Sequence, residues 1–594
     1  MAVTGRRSRT AIALVTAGVS VVVGSAGAQA VTSMQPHAAL QPVVVMAAPG
    51  QEPMAEVGVA RLGGSVTRKL GIINGFAARV PADQAAALEA LGSVESVSPD
   101  RAMTPLSMVA SLGYDPADVG SSSSFTQLVG AQSAWAAGYT GAGVDVAVID
   151  TGIARVPGLA GTGKVLDGPD LSFDSPHSAN PGVDAFGHGT LMGSLIAGRD
   201  ADASASAVGC TSCLNTSGYS DTTKFVGVAP DARLINVKVG AADGACDVSQ
   251  VIAAIDWVVQ HAHDSGLNIK VLNLSFGTNS TQAYTVDPLA QAAEQAWKHG
   301  IVVVVAAGGN DGAGSTALVD PAYDPYLLAV GGLDTAGTTT LADDVVATFA
   351  QHGTAARSID VMAPATHVIG LRVPGSFVDT LTTNTGQVGT RFQRGSGTSE
   401  ATAMVSGIAA LLAQKYPTAT PDSIKALVRS TATWYGKATL TTAFRGTGLV
   451  SASKAIAATP TAGVQSATAS TGSGTLDAAR GTVTVVDNGI TLTGQKDIFG
   501  KPFNSSTMAA AQTTATAWSG GVWNSSRWTG DGWSSSRWTT ADWTGSDWAG
   551  VQWTSSRWTG MTWDSARWTG SGWGSSRWTG TGWTSSRWSS ATWN

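Results

Sequence analysis

Three short stretches of this sequence contain residue types that together perform acyl transfer. Asp150 ends the apolar run "VDVAVID", His188 lies in "FGHGTLMGSLIAG", and Ser399 lies in "GSGTSEATAMVSG". A serine hydroxyl is a poor nucleophile near neutral pH and has to lose its proton as it attacks. A neutral imidazole can take that proton and return it to the leaving group, while a buried carboxylate orients the imidazole and stabilises its cation.

Each stretch also has an ordinary structural interpretation when it is taken alone. Aspartate at a strand end often caps a turn, a single histidine near a helix start is often structural, and serine is a common helix-capping residue. Asp, His and Ser in this chain order are, however, one of the known orders of a catalytic triad. The combination predicts that Asp150 orients the base, His188 acts as general base and acid, and Ser399 is the nucleophile.

The elements that would position these residues alternate along the chain from 125 to 458. Apolar strands and helices follow one another, which predicts an α/β fold with a parallel sheet covered by helices on both faces. The predicted strands are "VDVAVID", "RLINVKV", "KVLNLSF", "IVVVVAAG", "LLAVGGL" and "IDVMAPA". The predicted helices are "SQVIAAIDWVVQHAHDSG", "PLAQAAEQAWKHG" and "PDSIKALVRSTATW". Asp150 then lies at the carboxyl end of a buried strand, where the ligand sites of parallel sheets gather.

This region resembles the subtilisin-like serine proteases, the subtilase family. Besides the three catalytic stretches, the blocks "VGVAPDARLINVKV", "VLNLSFG", "VVVVAAGGNDG" and "IDVMAPA" resemble family blocks in the family's order. The resemblance implies a subtilisin-like fold and a serine endopeptidase that hydrolyses protein or peptide substrates through an acyl-enzyme. It implies no cofactor for catalysis and allows a structural calcium ion, for which the sequence assigns no ligand.

The resemblance also implies roles for residues outside the triad. Asn310 matches the family's oxyanion asparagine, whose amide would act with the backbone N–H of Ser399. Two segments match the walls of the primary specificity pocket: Ser275, Phe276 and Gly277, and Ala307, Gly308 and Gly309. Neither segment contains a charged residue, so we expect apolar or uncharged side chains to be preferred before the scissile bond.

The stretch after the serine departs from the family pattern. Family members usually continue with an apolar residue and then a small-small-Pro-His run, whereas this chain has Glu400, Ala401, Thr402, Ala403 and Met404. A carboxylate in the first turn of a helix suits the helix dipole but would oppose a developing oxyanion if it pointed into the site. We expect Glu400 to point away or to pair elsewhere, and the enzyme to be active. The alternative is a catalytically inactive subtilase-like protein that binds surfaces.

The N-terminal residues predict export and a removable pro-region. Arg6, Arg7 and Arg9 precede an uncharged apolar run, and small residues end at Ala30, which predicts a signal peptide over 1–30 and a secreted or cell-surface protein. Residues 31–103 predict a small α+β unit with two or three strands and one helix near "PADQAAALEALGSV". The family resemblance implies an inhibitor-type propeptide, and the alternative is an ordinary N-terminal domain that stays attached. Residues 104–124, ending in "GSSSS", predict a processing region or linker.

The net charge and the lengths of the apolar segments argue against nucleic-acid binding and a membrane span, and the cysteine count predicts a disulfide. A net charge of −6 gives no electrostatic footprint for nucleic acid, and no segment after the leader is long enough to span a membrane. The three cysteines, Cys210, Cys213 and Cys246, predict one disulfide and one spare thiol in an exported protein, with three possible pairings.

The C-terminal residues change composition twice. Residues 459–517 are rich in Thr, Ala, Ser and Gly, which predicts a linker with one hairpin at Asn488-Gly489. From Trp518 to Trp593 a tryptophan stands at every fifth position, so residues 518–594 predict a short β-rich array of stacked repeats. The Trp and Arg side chains of the array either hold it together or grip cell wall or polysaccharide, and both alternatives remain open.

Overall fold

The computed structural model describes most of the chain between residues 39 and 527. The described residues are 39–527 and 546–549, apart from 71–73, 100–108, 110–111, 174–181, 202–221, 265, 309–316, 384, 435, 437–441, 483 and 488–489. The predicted signal peptide, most of the tryptophan array, Cys210, Cys213, Gly309 and Asn310 lie outside the described residues. No helix in the described part of the chain is both long and apolar enough to cross a membrane.

The N-terminal unit is a four-stranded antiparallel sheet with two helices. Its strands stand in the order β2-β3-β1-β4. Its elements are β1 (Leu40–Ala47), α1 (Glu52–Arg61), β2 (Ser65–Leu70), β3 (Gly75–Pro81), α2 (Ala85–Glu89) and β4 (Val94–Pro99). The two or three strands are predicted from the alternation in "VGVARLGGSVTRKLGIINGFAARV", but its first residues, 57–61, belong to helix α1. Buried Ala55 and Val59, four residues apart, form the inward face of that helix.

The region predicted for processing is, from residue 112 onward, part of the next domain. Leu112 and Tyr114 are 1% and 2% exposed, and the Tyr114 ring meets Phe392 edge to face. The "GSSSS" stretch begins helix α3 (Ser122–Leu128), because the Ser121 hydroxyl accepts a hydrogen bond from the backbone N–H of Ser124. A serine run of this kind caps a helix as readily as it forms a linker, and here it caps.

The central domain contains a large, mostly parallel sheet, which confirms the predicted α/β class. The strand order is β11-β10-β9-β8-β5-β7-β6, β12 pairs with β10, and only β11 is antiparallel. The first elements after α3 are α4 (Ala131–Ala136), β5 (Asp145–Asp150), β6 (Val165–Asp170), α5 (His188–Ala197), β7 (Arg233–Lys238), α6 (Val248–His261), β8 (Ile269–Leu274), α7 (Pro288–Lys298), β9 (Val302–Ala306), β10 (Leu328–Asp334), β11 (Val345–Val346) and β12 (Val361–Pro364).

A small antiparallel sheet and a long helix complete this domain. The later elements are β13 (Val368–Leu371), α8 (Phe377–Leu381), β14 (Gln387–Val388), β15 (Phe392–Gly395), α9 (Thr398–Lys415), α10 (Pro421–Thr431), α11 (Thr442–Arg445) and α12 (Ala452–Ala457). Every residue of β5 and of β9 is buried, so the sheet is covered on both faces, as its predominantly apolar strands require. Helix α9 packs against α5 and against the central strands, and it is buried from Thr398 to Ala413.

The segment predicted as a linker differs from that prediction, because it packs on the central domain. Its elements are α13 (Leu476–Arg480), β16 (Thr484–Asp487), β17 (Ile490–Thr491) and α14 (Ser505–Thr513). The start of the predicted tryptophan array adds β18 (Trp518–Ser519), β19 (Val522–Trp523), β20 (Ser526–Arg527) and β21 (Ser546–Ala549). Strands β16 and β17 pair antiparallel, and β21 pairs with β16. Leu476, Phe503 and Trp523 are buried within the same apolar core as the large sheet. Thr, Ala and Ser composition concealed these widely spaced anchors.

The first two tryptophans of the array attach the chain to α6. Trp518 Nε1 donates to the carbonyl of Ala253 at 2.8 Å, and Trp523 Nε1 donates to Asp256 Oδ2 at 2.8 Å. Strands β18, β19 and β20 form a short antiparallel meander that turns at Gly520 and Gly521, both with positive φ. For these two rings the contacts favour the structural alternative over an exposed aromatic strip.

Candidate active site

Asp150 ends the central strand β5, and its carboxylate faces the start of helix α5. Its Oδ1 accepts hydrogen bonds from the backbone N–H of Thr151 at 2.7 Å and from the Thr151 hydroxyl at 3.3 Å. Helix α5 approaches this strand end closely at Gly189, where a Cβ atom would lie 2.2 Å from the Gly152 carbonyl oxygen. Glycine after His188 therefore lets the helix bring its first residue to the carboxylate.

His188 bridges the carboxylate and the serine. Its Nδ1 lies 2.7 Å from Asp150 Oδ1, and its Nε2 lies 3.2 Å from Ser399 Oγ. A proton on Nδ1, donated to the carboxylate, leaves Nε2 as an acceptor that faces the serine hydroxyl. All three side chains are at most 1% exposed, so their mutual electrostatic interactions are little screened by solvent.

Ser399 is the second residue of the long buried helix α9. Its hydroxyl donates to the carbonyl of Ser275 at 2.8 Å, at the end of strand β8. The same oxygen lies within reach of His188 Nε2, so rotation about the Cβ–Oγ bond redirects the O–H from the Ser275 carbonyl to His188 Nε2. Its position in the first helical turn directs the backbone N–H groups and the positive end of the helix dipole toward charge that develops beside Oγ.

Asp184 is a second buried carboxylate that sequence analysis missed. Its Oδ1 accepts from the Thr151 hydroxyl at 2.8 Å and from the Gly187 N–H at 2.6 Å, and its Oδ2 accepts from the Thr190 N–H at 2.8 Å. It therefore ties the end of β5 to the first turn of α5. An acidic residue just before a helix start was the available signal, but only the fold shows that it also holds Thr151.

The electrostatic surroundings raise the pKa of His188 above its ordinary value. Burial opposes the imidazolium, but the charge and hydrogen bond of Asp150 outweigh burial, and the charges of Glu400 and Asp184 add to them. Glu400 is fully buried in the first turn of α9, and its charge acts on the histidine. The departure from the family pattern after Ser399 therefore lies close enough to tune the base.

The two segments predicted to wall a specificity pocket meet around Val319. A Cβ atom on Gly277 would lie 2.4 Å from Val319 Cγ2, and one on Gly308 would lie 2.9 Å from Val319 Cγ1. The Thr398 hydroxyl donates to the Gly308 carbonyl at 3.1 Å, which fixes one segment beside the serine. The described members of the two segments, Ser275, Phe276, Gly277, Ala307 and Gly308, are buried.

The remaining reactive groups are the candidate metal ligands and the cysteines. Among the residues that the structure describes, no group of three or more His, Cys, Asp or Glu side chains could hold a metal ion. For the calcium ion allowed by the sequence resemblance no ligand is assigned, since calcium also takes backbone carbonyl oxygens. Cys246 lies just before helix α6, and burial raises the pKa of its thiol. Its two candidate disulfide partners lie outside the described residues, so the pairing stays a prediction.

Comparisons with known proteins agree with this geometry. A sequence model described as "Subtilase family" matches residues 141–474, more than half of the 594-residue chain. Serine protease AprX of Bacillus subtilis (strain 168) is 33% identical over 299 residues, which are 49% of this chain and 61% of AprX. The chain therefore matches less than two thirds of the length of AprX.

Two further matches cover most of the other protein. Subtilisin DY of Bacillus licheniformis is 32% identical over 318 residues, which are 52% of this chain and 93% of that protein. A solved structure described as a cold adapted subtilisin-like serine proteinase is 25% identical and aligns with 50% of this chain and 84% of its own, with a TM-score of 0.35. The assignment of the chain to a family rests on the family match and on the match to Subtilisin DY.

Proposed function

The chain belongs to the subtilase family of serine endopeptidases, and from this premise we propose that it is a secreted endopeptidase acting through Asp150, His188 and Ser399. One observation carries the proposal. A continuous chain of contacts runs from Asp150 Oδ1 to His188 Nδ1, and from His188 Nε2 to Ser399 Oγ, at 2.7 and 3.2 Å. These are the distances at which a serine proton can pass to a base whose tautomer is held by a carboxylate.

In the proposed reaction, the Ser399 hydroxyl turns from the Ser275 carbonyl toward His188 and attacks the substrate carbonyl. His188 takes the proton and gives it to the leaving amine, while Asp150 stabilises the imidazolium. The backbone N–H of Ser399 and the side chain of Asn310 hold the oxyanion, and losing a side-chain donor of this type costs roughly a hundred- to a thousandfold in rate. Water then repeats the sequence on the acyl-enzyme.

We assign the primary specificity to apolar or uncharged side chains. Val319 packs against both Gly277 and Gly308, so an apolar side chain stands between the two segments. The nearest carboxylate in sequence, Asp320, is 1% exposed, and burial raises its pKa well above the usual range. Burial thus disfavours the charged form of this carboxyl group, which is the form that would attract lysine or arginine. Cleavage of a peptide library after Lys or Arg alone would contradict this assignment.

The proposed maturation removes the N-terminal unit, which would act as an intramolecular inhibitor before the cut. Its ten buried core residues form an apolar cluster separate from that of the central domain, as a removable unit requires. Leu112 and Tyr114 are already buried against the domain, so we assign the cut to a bond before Leu112. Export through the signal peptide at 1–30 precedes it.

The test compares the parent chain with Ser399→Ala, by intact mass and by labelling with a fluorophosphonate. The parent is expected to lose roughly its first hundred residues and to take one label, and the variant to do neither. Ser406→Ala is the matched control, because this serine lies on the same helix and donates to Asn273 Oδ1 instead. A folded parent that is neither processed nor labelled would show that the chain is not a serine protease.

A further inference from the structure

Helix α13 begins at Leu476, beyond the part of the chain that the family model matches. It touches two segments that leave the large sheet beside the catalytic residues. We name them by their residues: the 241–247 segment follows strand β7, and the 275–278 segment follows strand β8. In the sheet, β7 and β8 lie on either side of β5, so the two segments leave on either side of Asp150.

The 241–247 segment is a small closed loop that is attached to the site at its beginning. The backbone N–H groups of Val239 and Gly240 donate to the Asp150 carbonyl at 2.8 and 3.2 Å. The loop is then closed by Ala241 N–H donating to the Ala245 carbonyl at 2.9 Å. Its end is Asp247, the N-cap of α6, which forms a capping box with Gln250. Movement of Asp247 would therefore move a loop anchored at the catalytic strand.

The 275–278 segment is attached to the nucleophile itself. The carbonyl of Ser275 accepts the Ser399 hydroxyl, and Gly277 packs against Val319. The 275–278 segment thus leaves the sheet directly beside the nucleophile, and the 241–247 segment leaves it on the other side of Asp150. We place the residues before the scissile bond between these two segments.

Helix α13 holds the far ends of both segments. The Arg480 guanidinium donates from Nε to Asp247 Oδ1 at 2.7 Å and from Nη2 to Asp247 Oδ2 at 3.2 Å. Its remaining donors reach Asp477 Oδ1 and the carbonyls of Gly494 and Lys496. On the other side, the Ala479 carbonyl accepts the Thr278 hydroxyl. One short helix thus contacts the end of each segment through neighbouring residues.

The contact between Arg480 and Asp247 is buried and geometrically specific. Both side chains are 1% exposed, and the paired N–H groups of a guanidinium match the two oxygens of a carboxylate. Burial opposes ionisation of Asp247, but the charge and hydrogen bonds of Arg480 outweigh it and hold the pKa of that carboxyl below its usual range. On the other side, a Cβ atom on Gly481 would lie 1.9 Å from the Asn279 carbonyl oxygen, so the backbone fits closely there too.

We propose that helix α13 is a brace across the substrate cleft, and that Arg480 is a positioning residue that sets the spacing between the 241–247 and 275–278 segments. The inference rests on the proposed protease function, because it assigns the brace to that same site. Arg480 does not touch the reacting atoms. It acts through Asp247 on the cleft wall, so it affects substrates that extend along the cleft and leaves the triad unchanged.

The test measures hydrolysis by the full chain and by Arg480→Lys and Arg480→Met, with two substrates. One substrate has four residues before the scissile bond, and the other is a single-residue ester. For the long substrate, kcat/KM is expected to fall on the order of tenfold in both variants, mainly through KM. Ester hydrolysis and the rate of fluorophosphonate labelling are expected to stay the same. The control is Arg527→Met, an exposed arginine of the same C-terminal segment, which should change neither.

Amide hydrogen exchange provides the second measurement, and it does not depend on activity. In Arg480→Lys, exchange is expected to quicken in the 241–247 and 275–278 segments and to stay unchanged in β5 and α9. Equal loss on both substrates, or faster exchange throughout the domain, would overturn the brace and leave a general stabilising role. Unchanged kinetics and exchange would overturn it as well. A parent chain that takes no label refutes the protease proposal, and the exchange pattern then decides the brace alone.

Discussion

The two regions that flank the central domain differ in where their apolar side chains lie. In the N-terminal unit, Val45, Phe76 and Leu88 belong to a separate core shared with no other part of the described chain. In the C-terminal segment, Leu476, Phe503 and Trp523 belong to the core of the central domain itself. The first region is an independent unit by this criterion, and the second is a part of the domain.

The difference shows that the composition of a flanking region does not reveal how it is attached. The N-terminal unit has the strands and helices of a domain, yet it can leave without opening the core of its neighbour. The C-terminal segment begins with the Thr, Ala, Ser and Gly content of a linker, yet this part supplies a buried arginine, and the first two repeats of the tryptophan array add two buried indoles. A flanking region is separable when its apolar side chains are buried within the region itself. It is part of the domain when they are buried within the core of the domain.

Truncation at two positions should have the largest effect and would test the comparison directly. A chain ending at Ala458 loses Arg480 and Trp523, and each loss is worth about 3–5 kcal/mol because a buried ion partner and a buried indole disappear. Their sum approaches the whole free energy of unfolding of a typical domain. We expect this chain not to accumulate as folded protein, whereas a chain ending at Arg527 should fold and keep its thermal midpoint within a few degrees.

The measurement is the yield of soluble protein together with thermal unfolding followed by circular dichroism. If the chain ending at Ala458 is folded and as stable as the longer one, the C-terminal segment is an appendage and the comparison is wrong.

Matched substitutions in the two cores should give the next largest effect. Trp523→Ala is expected to lower the free energy of unfolding of the central domain by about 3–5 kcal/mol, because the ring is 1% exposed and donates a buried hydrogen bond. Phe76→Ala should cost the N-terminal unit a similar amount. Denaturant unfolding of the unprocessed Ser399→Ala chain reports both regions. A shift of the central transition by Phe76→Ala would mean that the cores are coupled.

The free energy of unfolding should also depend on pH through Asp256, the carboxylate that binds Trp523 of the C-terminal segment. Burial raises its pKa to about 7, against the hydrogen bonds from Trp523 and Gln512. The folded protein therefore holds this proton more tightly than the unfolded chain does. The free energy of unfolding should fall as pH rises from about 4 to about 7, by up to about 1.4 kcal/mol per pH unit from this group. Asp256→Asn should remove that part of the slope, as measured by denaturant unfolding at several pH values. An identical slope in both proteins would refute the assignment.

Glu400→Gln should have the smallest effect, and it would separate the chemistry of the domain from the attachment of the C-terminal segment. The Glu400 charge raises the pKa of His188, and the reaction needs the neutral imidazole. Removing the charge should lower that pKa and extend the acidic limb of the kcat/KM profile to lower pH. Asp256→Asn should leave the limb in place. A limb that is unmoved by Glu400→Gln would show that the carboxylate does not act on the base.

The sequence was most informative where side chains recur with a period or where a motif is short. The predominantly apolar runs predicted β5, β7, β8, β9 and β10, because strands buried on both faces are apolar at most positions. The motifs around Asp150, His188 and Ser399 predicted three side chains that the fold brings within hydrogen-bonding distance. Strands such as β11 and β14 have only two residues each, too few for any periodicity to be visible.

What the sequence could not reveal depends on contacts distant in the chain or on backbone atoms. The carbonyl of Ser275, which accepts the Ser399 hydroxyl, has no signature in residue type. Asp184 reads as an ordinary acid before a helix until the fold brings Thr151 to it. Arg480 lies 233 positions from Asp247, and nothing near either residue marks the pair.

The burial of helix α9 has a consequence for how long the proposed enzyme survives. The nucleophile stands in the first turn of a helix whose next fourteen residues are all buried, so Ser399 cannot be displaced by local fraying alone. Displacing Ser399 requires opening of the core. Heat inactivation should therefore proceed at the rate of global unfolding. A protease digests its own unfolded copies, so each opening is final. The working life of the molecule is thus a kinetic quantity, set by the height of the barrier that keeps this one helix inside.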